Sequence, residues 1–324
     1  MDIIVDTLSF RANFSTLENL FDFLGLSYDG AEKYFDYSDT RFNMNYFASL
    51  YYEGIKIGLD GQKGWSFYVH MSGKGCRAFE DLHGKDFTWF PFIERLSRRV
   101  DEGFAAITRI DIACDEKIGI FNIDKLENCI EKNKYLSRCP KSSIRCLKFG
   151  EECLYVGSPQ SLSMLRIYNK KLERGYTSED NEVPHWWRCE FQLRDEHATQ
   201  IVKEWVSTKN IGKVYAGHVL KHIRFLTKPN LKDGTQHRIN TTPWWNKFLE
   251  NAEKLDWVSS KGSEYNLSKV QRYAIDNAGS SVKTMIQARN LTPQELYDIY
   301  MKGDIGLRPD QRALIKKLRG DEDD

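Results

Sequence analysis

The feature that most constrains this chain is a parity shared by three separate segments. Along a strand, successive side chains point to opposite faces. In residues 108–115, Arg109, Asp111 and Asp115 fall on one side, and Ile110, Ile112 and Cys114 on the other. In 165–171, Arg166, Tyr168 and Lys170 oppose Leu165 and Ile167. In 187–194, Arg188, Glu190, Gln192 and Arg194 oppose Trp187, Cys189, Phe191 and Leu193. Strands with one apolar and one charged side predict a sheet covered on a single face. Joined in one sheet, they gather Asp111, Glu190, Tyr168, Arg166, Lys170 and Arg188 on the solvent face. A merely solvated face favours Thr, Ser and Lys. Interstrand salt bridges on a surface are the plain alternative.

The rest of the chain supplies more short strands mixed with helices. Residues 3–10 read as a strand, and Ser15 with Glu18 as a capping box opening a helix that Gly25 closes. Two β-rich runs, 45–59 and 65–71, flank the turn-forming Asp60-Gly61, with Gly73 and Gly75 as turn residues or points of close approach to a ligand. Helical spacing follows at 89–100, a strand at 106–114 and a short helix at 123–132. Strands are expected at 144–149, 153–156, 164–170 and 187–194, then a helix at 196–206. Residues 228–242 read as a long loop and 244–257 as an aromatic-rich amphipathic helix. Without a regular βαβα alternation, this predicts an α+β fold with a large, mainly antiparallel sheet flanked by helices. The expected organisation is a catalytic domain at 1–257, a linker at 258–264 and a small helical C-terminal unit at 265–324. Within the last, helical segments are expected at 267–278 and 282–288, and Thr292-Pro293-Gln294-Glu295 marks a further helix start.

Charge matters by position, because 47 Lys+Arg against 46 Asp+Glu leave a net charge of only +1. Residues 1–100 carry 11 bases and 14 acids, whereas 203–238 carry 8 bases and 2 acids, and 141–174 carry 7 and 3. A basic middle behind a neutral total predicts a surface facing a polyanion. The 41% hydrophobic content supports a substantial core. No run approaches the ~20 apolar residues of a membrane helix, and the acidic first residues do not read as a signal peptide. The expectation is a cytoplasmic protein without membrane contact. Seven cysteines without a C-x-x-C pair, Cys139, Cys146 and Cys153 among them, read as reduced thiols. No G-x-x-x-x-G-K-[ST] loop marks an ATP site.

The charged face suits one chemistry. Two carboxylates can hold a hard divalent cation through oxygen, and such an ion polarises a phosphoryl oxygen. A neighbouring tyrosine can attack phosphorus and keep the phosphodiester energy as phosphotyrosine, so no nucleotide triphosphate is needed. A free phenol has a pKa of ~10. Arg166, Lys170 and the ion are expected to favour its phenolate and to stabilise charge growing on phosphate.

At these same residues the sequence resembles the replication initiation factor family: rolling-circle initiators of small plasmids, relaxases of integrative conjugative elements, and filamentous-phage replication proteins. The likeness is carried by Thr108-Arg109-Ile110-Asp111-Ile112-Ala113-Cys114-Asp115, Tyr155-Val156-Gly157-Ser158, Leu165 to Glu173 and Trp187 to Arg194. A glycine-containing segment, Ser72-Gly73-Lys74-Gly75-Cys76-Arg77, adds to it. The resemblance covers about residues 1–255 and implies a DNA strand-transferase that nicks one strand at an origin. It stays joined to the 5′ phosphate through Tyr168, with Arg166, Lys170 and Arg188 assisting. Asp111 and Glu190 then hold Mg²⁺ or Mn²⁺, with Asp115 a further ligand or a supporting group. His70 either completes the metal site or is satisfied locally, and Tyr155 and Tyr176 are either second nucleophiles or packing residues. The implied partner is origin DNA. The position and charge of the C-terminal helices (Arg308, Arg312, Lys316, Lys317, Arg319) add duplex DNA or a host helicase as an expected partner, and a second copy of the chain is a further one.

Two other readings compete. One is a non-catalytic single-strand binding module with an RRM-like sheet, against which the face offers no exposed aromatic besides Tyr168. The other is a metal phosphodiesterase that acts through water and leaves no covalent product.

Overall fold

The computed structural model describes residues 1–28, 34–39, 45–61, 64–149, 151–176, 185–230, 238–255 and 279–302. The chain divides into two compact units, Met1–Ser260 and Lys261–Asp324. The linker expected at 258–264 and a helix expected at 267–278 lie outside the described residues.

The first unit is built on a ten-stranded sheet. Its strands are β1 (Asp2–Ala12), β2 (Asp36–Ser38), β3 (Ala48–Tyr52), β4 (Ile55–Leu59), β5 (Phe67–Met71) and β6 (Ala105–Glu116). They continue with β8 (Ile144–Leu147), β9 (Cys153–Val156), β10 (Ser163–Asn169) and β11 (Trp187–Arg194). β7 (Tyr135–Ser137) pairs separately with β12 (Ile223–Phe225). The order across the large sheet is β2-β3-β4-β5-β1-β6-β11-β10-β9-β8, and every pairing is antiparallel. The expected α+β architecture is therefore the observed one, and the three charged strands are neighbours: β6, β11 and β10.

The helices are α1 (Leu17–Leu24), α2 (Gly73–His83), α3 (Trp89–Asp101), α4 (Ile123–Glu131), the single turn α5 (Lys170–Glu173), α6 (Asp195–Thr208), α7 (Ile211–His222) and α8 (Pro243–Glu253). Ile110, Ile112, Cys114, Leu165, Ile167, Cys189, Phe191 and Leu193 are buried beneath them in one core with Trp89, Phe92, Trp205, Tyr215 and Trp245. Each of those strand residues lies on the side assigned to it by parity. In the second unit, α9 (Gly279–Arg289) precedes α10 (Pro293–Lys302). Thr292 Oγ1 accepts from the Glu295 amide at 3.3 Å while Glu295 Oε2 accepts from the Thr292 amide at 2.8 Å, the reciprocal pair of a capping box.

Several local expectations are corrected. Thr16, not Ser15, caps α1, its hydroxyl accepting from the Asn19 amide at 3.2 Å; Gly25 closes that helix at φ 75° as expected. Gly73 and Gly75 are not turn residues but the first turn of α2, capped by Ser72. A Cβ on Gly75 would lie 2.3 Å from the Gly54 carbonyl oxygen, so the glycine permits the helix start to sit against the β3–β4 hairpin. Helix α7 is not among the expected elements; Asn210 caps it by accepting from the Lys213 amide at 2.8 Å, and Ile211, Val214, Tyr215 and Val219 form its buried side. Finally, β10 ends at Asn169, whose side chain caps α5 by accepting from the Leu172 amide at 3.2 Å, so Lys170 is helical rather than a strand residue.

Candidate active site on the charged face of the sheet

Residues directly opposite one another across an antiparallel pair share a face. The register aligns Tyr168 with Arg188 and Asp115, Arg166 with Glu190 and Ala113, and Gln192 with Asp111. The residues picked by parity thus converge on three adjacent strands. The face is less solvated than expected: Asp111 and Glu190 are 1% exposed and Arg188 4%. The reason is mutual cover, since each acid lies under a neighbouring cation.

Glu190 is the hub. Its Oε2 accepts from the Tyr168 hydroxyl at 3.0 Å, and its Oε1 is ion-paired with Arg166. Lys170 Nζ donates to the Tyr168 oxygen at 3.4 Å and to Glu173 at 2.8 Å, so the lysine reaches the phenol from the end of its helix turn. Asp111 receives Arg109 through both oxygens, Nε at 2.9 Å and Nη2 at 2.5 Å. Asp115 is given over to Arg188, taking Nε at 2.6 Å and Nη2 at 2.9 Å.

Arg188 has a second partner that the sequence reading missed. Its Nη1 donates to Asp6 Oδ1 at 2.7 Å. Asp6 sits at a register break in β1: Val5 pairs with Ile112, yet Thr7 pairs with Asp111. The bulge places an extra side chain at the charged face, a use to which strand irregularities near sites are suited. A signal was present in the sequence, because the buried residues of β1 change phase from Ile3 and Val5 to Leu8, Phe10 and Ala12. Behind the bulge, Arg77 Nη2 donates to the Val5 carbonyl at 2.7 Å and to Glu80 at 2.6 Å, and Trp89 Nε1 donates to the same Glu80 oxygen at 2.7 Å.

Electrostatics departs from expectation at the phenol. Burial, then the charge of Glu190, pushes the Tyr168 hydroxyl well above the ordinary phenol range, and Arg188 and Arg166 only partly oppose them. Without an added cation the site therefore favours phenol over phenolate. Burial lowers Lys170, and Arg188 lowers it further. Burial pushes Asp111 up to about 6 against Arg109, with Glu190 and Asp6 adding to the rise. Burial would raise Asp6, but Arg188, Lys170, Arg77 and Arg166 outweigh it and hold that carboxyl below its usual value.

Among the described residues no group of three or more His, Cys, Asp or Glu is arranged to hold a metal ion. Asp111 and Glu190 nevertheless fit a hard divalent cation in chemistry. Both are buried carboxylates on adjacent strands, and burial, with Glu190 and Asp6 adding to it, leaves Asp111 at about 6 even beside Arg109, so an added cation would be favoured there. Each would have to exchange an arginine contact for the ion.

His70 is bonded through Nδ1 to Ser9 Oγ at 2.8 Å. Tyr155 lies opposite Arg166 on the Tyr168 face, its hydroxyl donating to Glu151 at 3.2 Å. Tyr176 follows α5, its amide bonded to the Lys171 carbonyl at 3.1 Å. Tyr155, together with Tyr51, which lies opposite Lys56 in the β3–β4 register and is 42% exposed, corrects the expectation that Tyr168 is the one aromatic on this face. All seven cysteines are free thiols.

A solved structure described as a rolling-circle replication initiator protein from Geobacillus stearothermophilus superposes with a TM-score of 0.66 at 24% identity, covering 80% of this chain and 99% of that one. The fold is thus that of a rolling-circle initiator. Residues 105–301 match the family described as replication initiation factor, and residues 2–95 match the rolling-circle replication initiation protein N-terminal domain. The chain belongs to the replication initiation factor family. A Bacillus subtilis (strain 168) relative described as the DNA relaxase NicK is 24% identical over 248 residues, covering 73% of this chain and 68% of the relative. Among the described residues no helix is long and apolar enough to cross a membrane.

Proposed function

We propose that the protein is a divalent-metal-dependent nickase and strand-transferase that opens one DNA strand at an origin, with Tyr168 as nucleophile. The observation that carries this reading is the half-buried Tyr168 hydroxyl lying 3.0 Å from Glu190 and 3.4 Å from Lys170 on the charged face. Asp111 and Glu190 would hold the ion, which when bound supplies positive charge to the scissile phosphate and relieves the repulsion that Glu190 exerts on a phenolate. Burial, and then Arg188, weaken the hold of Lys170 on its own proton, and the neutral amine so favoured takes the phenol proton. The Tyr168 oxygen bonds to phosphorus, the bond from phosphorus to the 3′ oxygen breaks, and that oxygen leaves as the 3′-hydroxyl on taking a proton from Lys170. Arg166, freed from Glu190, and Arg188 face the phosphate oxygens as charge accumulates. Asp115 and Asp6 position Arg188 rather than bind the ion.

The test is a denaturing gel of the protein incubated with Mg²⁺ or Mn²⁺ and a labelled single-stranded origin oligonucleotide. A covalent adduct present in the wild type and absent in Tyr168→Phe is expected. Cleavage that survives Tyr168→Phe would assign a water-dependent phosphodiesterase instead.

Residues 1–257 would carry this chemistry. The unit at 265–324, with Arg308, Arg312, Lys316, Lys317 and Arg319 in its sequence, would contact flanking duplex or a host helicase in the cytoplasm, and the active form would be a dimer. Unchanged origin binding after deletion of 262–324 would remove the C-terminal assignment.

A further inference from the structure

The charged face does not stop at the Tyr168 site. One register row runs from Tyr51 on β3 through Lys56 on β4, His70 on β5 and Ser9 on β1 to Arg109 on β6 and Arg194 on β11. Opposed residues share a face, so this row joins the candidate site at Arg109, the partner of Asp111. At about 4.8 Å between strands, Tyr51 lies about 19 Å from Arg109.

The row's chemistry is that of a single-strand track. Tyr51 is 42% exposed, and Arg11 is exposed two residues beyond Ser9 along β1, on the same face. Arg11 lies opposite Tyr68, which stacks on Tyr46 with ring centroids 5.8 Å apart at 29°. Tyr46 in turn occupies the space above Gly58, where a Cβ would come within 2.9 Å of its ring. Burial, then Arg109 and Lys56, hold His70 below the usual histidine range, so cations face that ring from both sides. The row's acid, Asp36, stands at the outer edge beyond Tyr51. Tyrosine rings interleaved with cations bind single strands by stacking bases and neutralising phosphates, largely without regard to sequence.

We propose that the row Tyr51–Lys56–His70, with Arg11 and Tyr68 beside it, binds the single-stranded DNA flanking the phosphate presented to Tyr168. The proposal rests on the nicking reading for what lies at its inner end, but binding by the row needs neither metal nor cleavage.

The test uses the full chain with a fluorescein-labelled dT20 oligonucleotide in EDTA, followed by anisotropy across a salt series. Tyr51→Ala should weaken binding about tenfold while Tyr51→Phe stays within about twofold, since stacking needs the ring and not the hydroxyl. Lys56→Gln and Arg11→Gln should each lower the salt slope by about 0.7, the value for one phosphate contact on a single strand. Matching thermal unfolding of all four variants separates these effects from misfolding. Unchanged affinity and slope in folded variants, no binding of dT20 by the wild type, or the same losses with duplex as with single strand would each overturn the proposal. Variant effects on dT20 in a protein that forms no Tyr168 adduct would leave the track standing and remove the nicking reading. An adduct with no variant effect would do the reverse.

Discussion

Tyr168 donates its hydroxyl proton to Glu190 at 3.0 Å, so the residue proposed as nucleophile is bonded to a negative charge that opposes its ionisation. A group in this position is silent until the charge beside it is compensated. Titration of the wild type minus Tyr168→Phe by ultraviolet difference spectroscopy should therefore place the phenol above its ordinary value of ~10 in EDTA and move it down on adding Mg²⁺. A phenol titrating at its ordinary value in both conditions would contradict the arrangement.

Arg188 is buried between Asp115 and Asp6. Removing one partner of a buried ion pair leaves charge uncompensated, at a cost of about 3–5 kcal/mol. Urea denaturation of Asp115→Ala should show a loss in that range. Asp6→Ala should lose less, because Asp115 retains both of its contacts with the guanidinium.

Glu80 supports the β1 bulge from behind, through Arg77 and Val5. Burial raises its carboxyl from 4.5 to about 7 against the pull of Arg77 and Trp89. The folded protein thus keeps a proton that the unfolded chain has already lost. The contribution of Glu80 to stability is greatest below the ordinary carboxylate value and falls as pH rises to about 7, by about 3 kcal/mol over the interval. Thermal unfolding from pH 4 to pH 8 should show this decline in the difference between the wild type and Glu80→Gln. Parallel profiles would exclude the assignment.

Two glycines should respond oppositely to alanine. Gly75→Ala would drive a methyl into the Gly54 backbone, 2.3 Å from its oxygen, and should cost about 1–3 kcal/mol. Gly217, inside α7, has nothing within 4 Å of a built Cβ, and its replacement should stabilise by about 0.5–1 kcal/mol. Chemical denaturation of the two variants reads both signs.

The sheet was legible because period-two alternation survives wherever one face is buried, as in Ile110/Ile112/Cys114 against Arg109/Asp111. It failed where a strand changes phase: the extra residue in β1 hid Asp6, and the end of β10 at Asn169 moved Lys170 into a helix turn without taking its amine from Tyr168. Composition of the charged face could be read, but pairing could not. Nothing in the spacing says that Asp115 accepts both Nε and Nη2 of Arg188, or that the phenol faces a carboxylate.

Strand β1 also bears on how such a chain can be divided. The stretch matched as an N-terminal domain and the stretch matched as the initiation factor meet along the pairing of β1 with β6, inside one continuous sheet. What reads as two modules end to end is in three dimensions a single woven surface. Separating them at residues 96–104 would strip backbone hydrogen bonds from both edges and carry away Asp6, one of the two aspartates paired with Arg188. Neither piece is a part that could be shuffled alone, so recombination that preserves activity has to exchange the halves as a matched set.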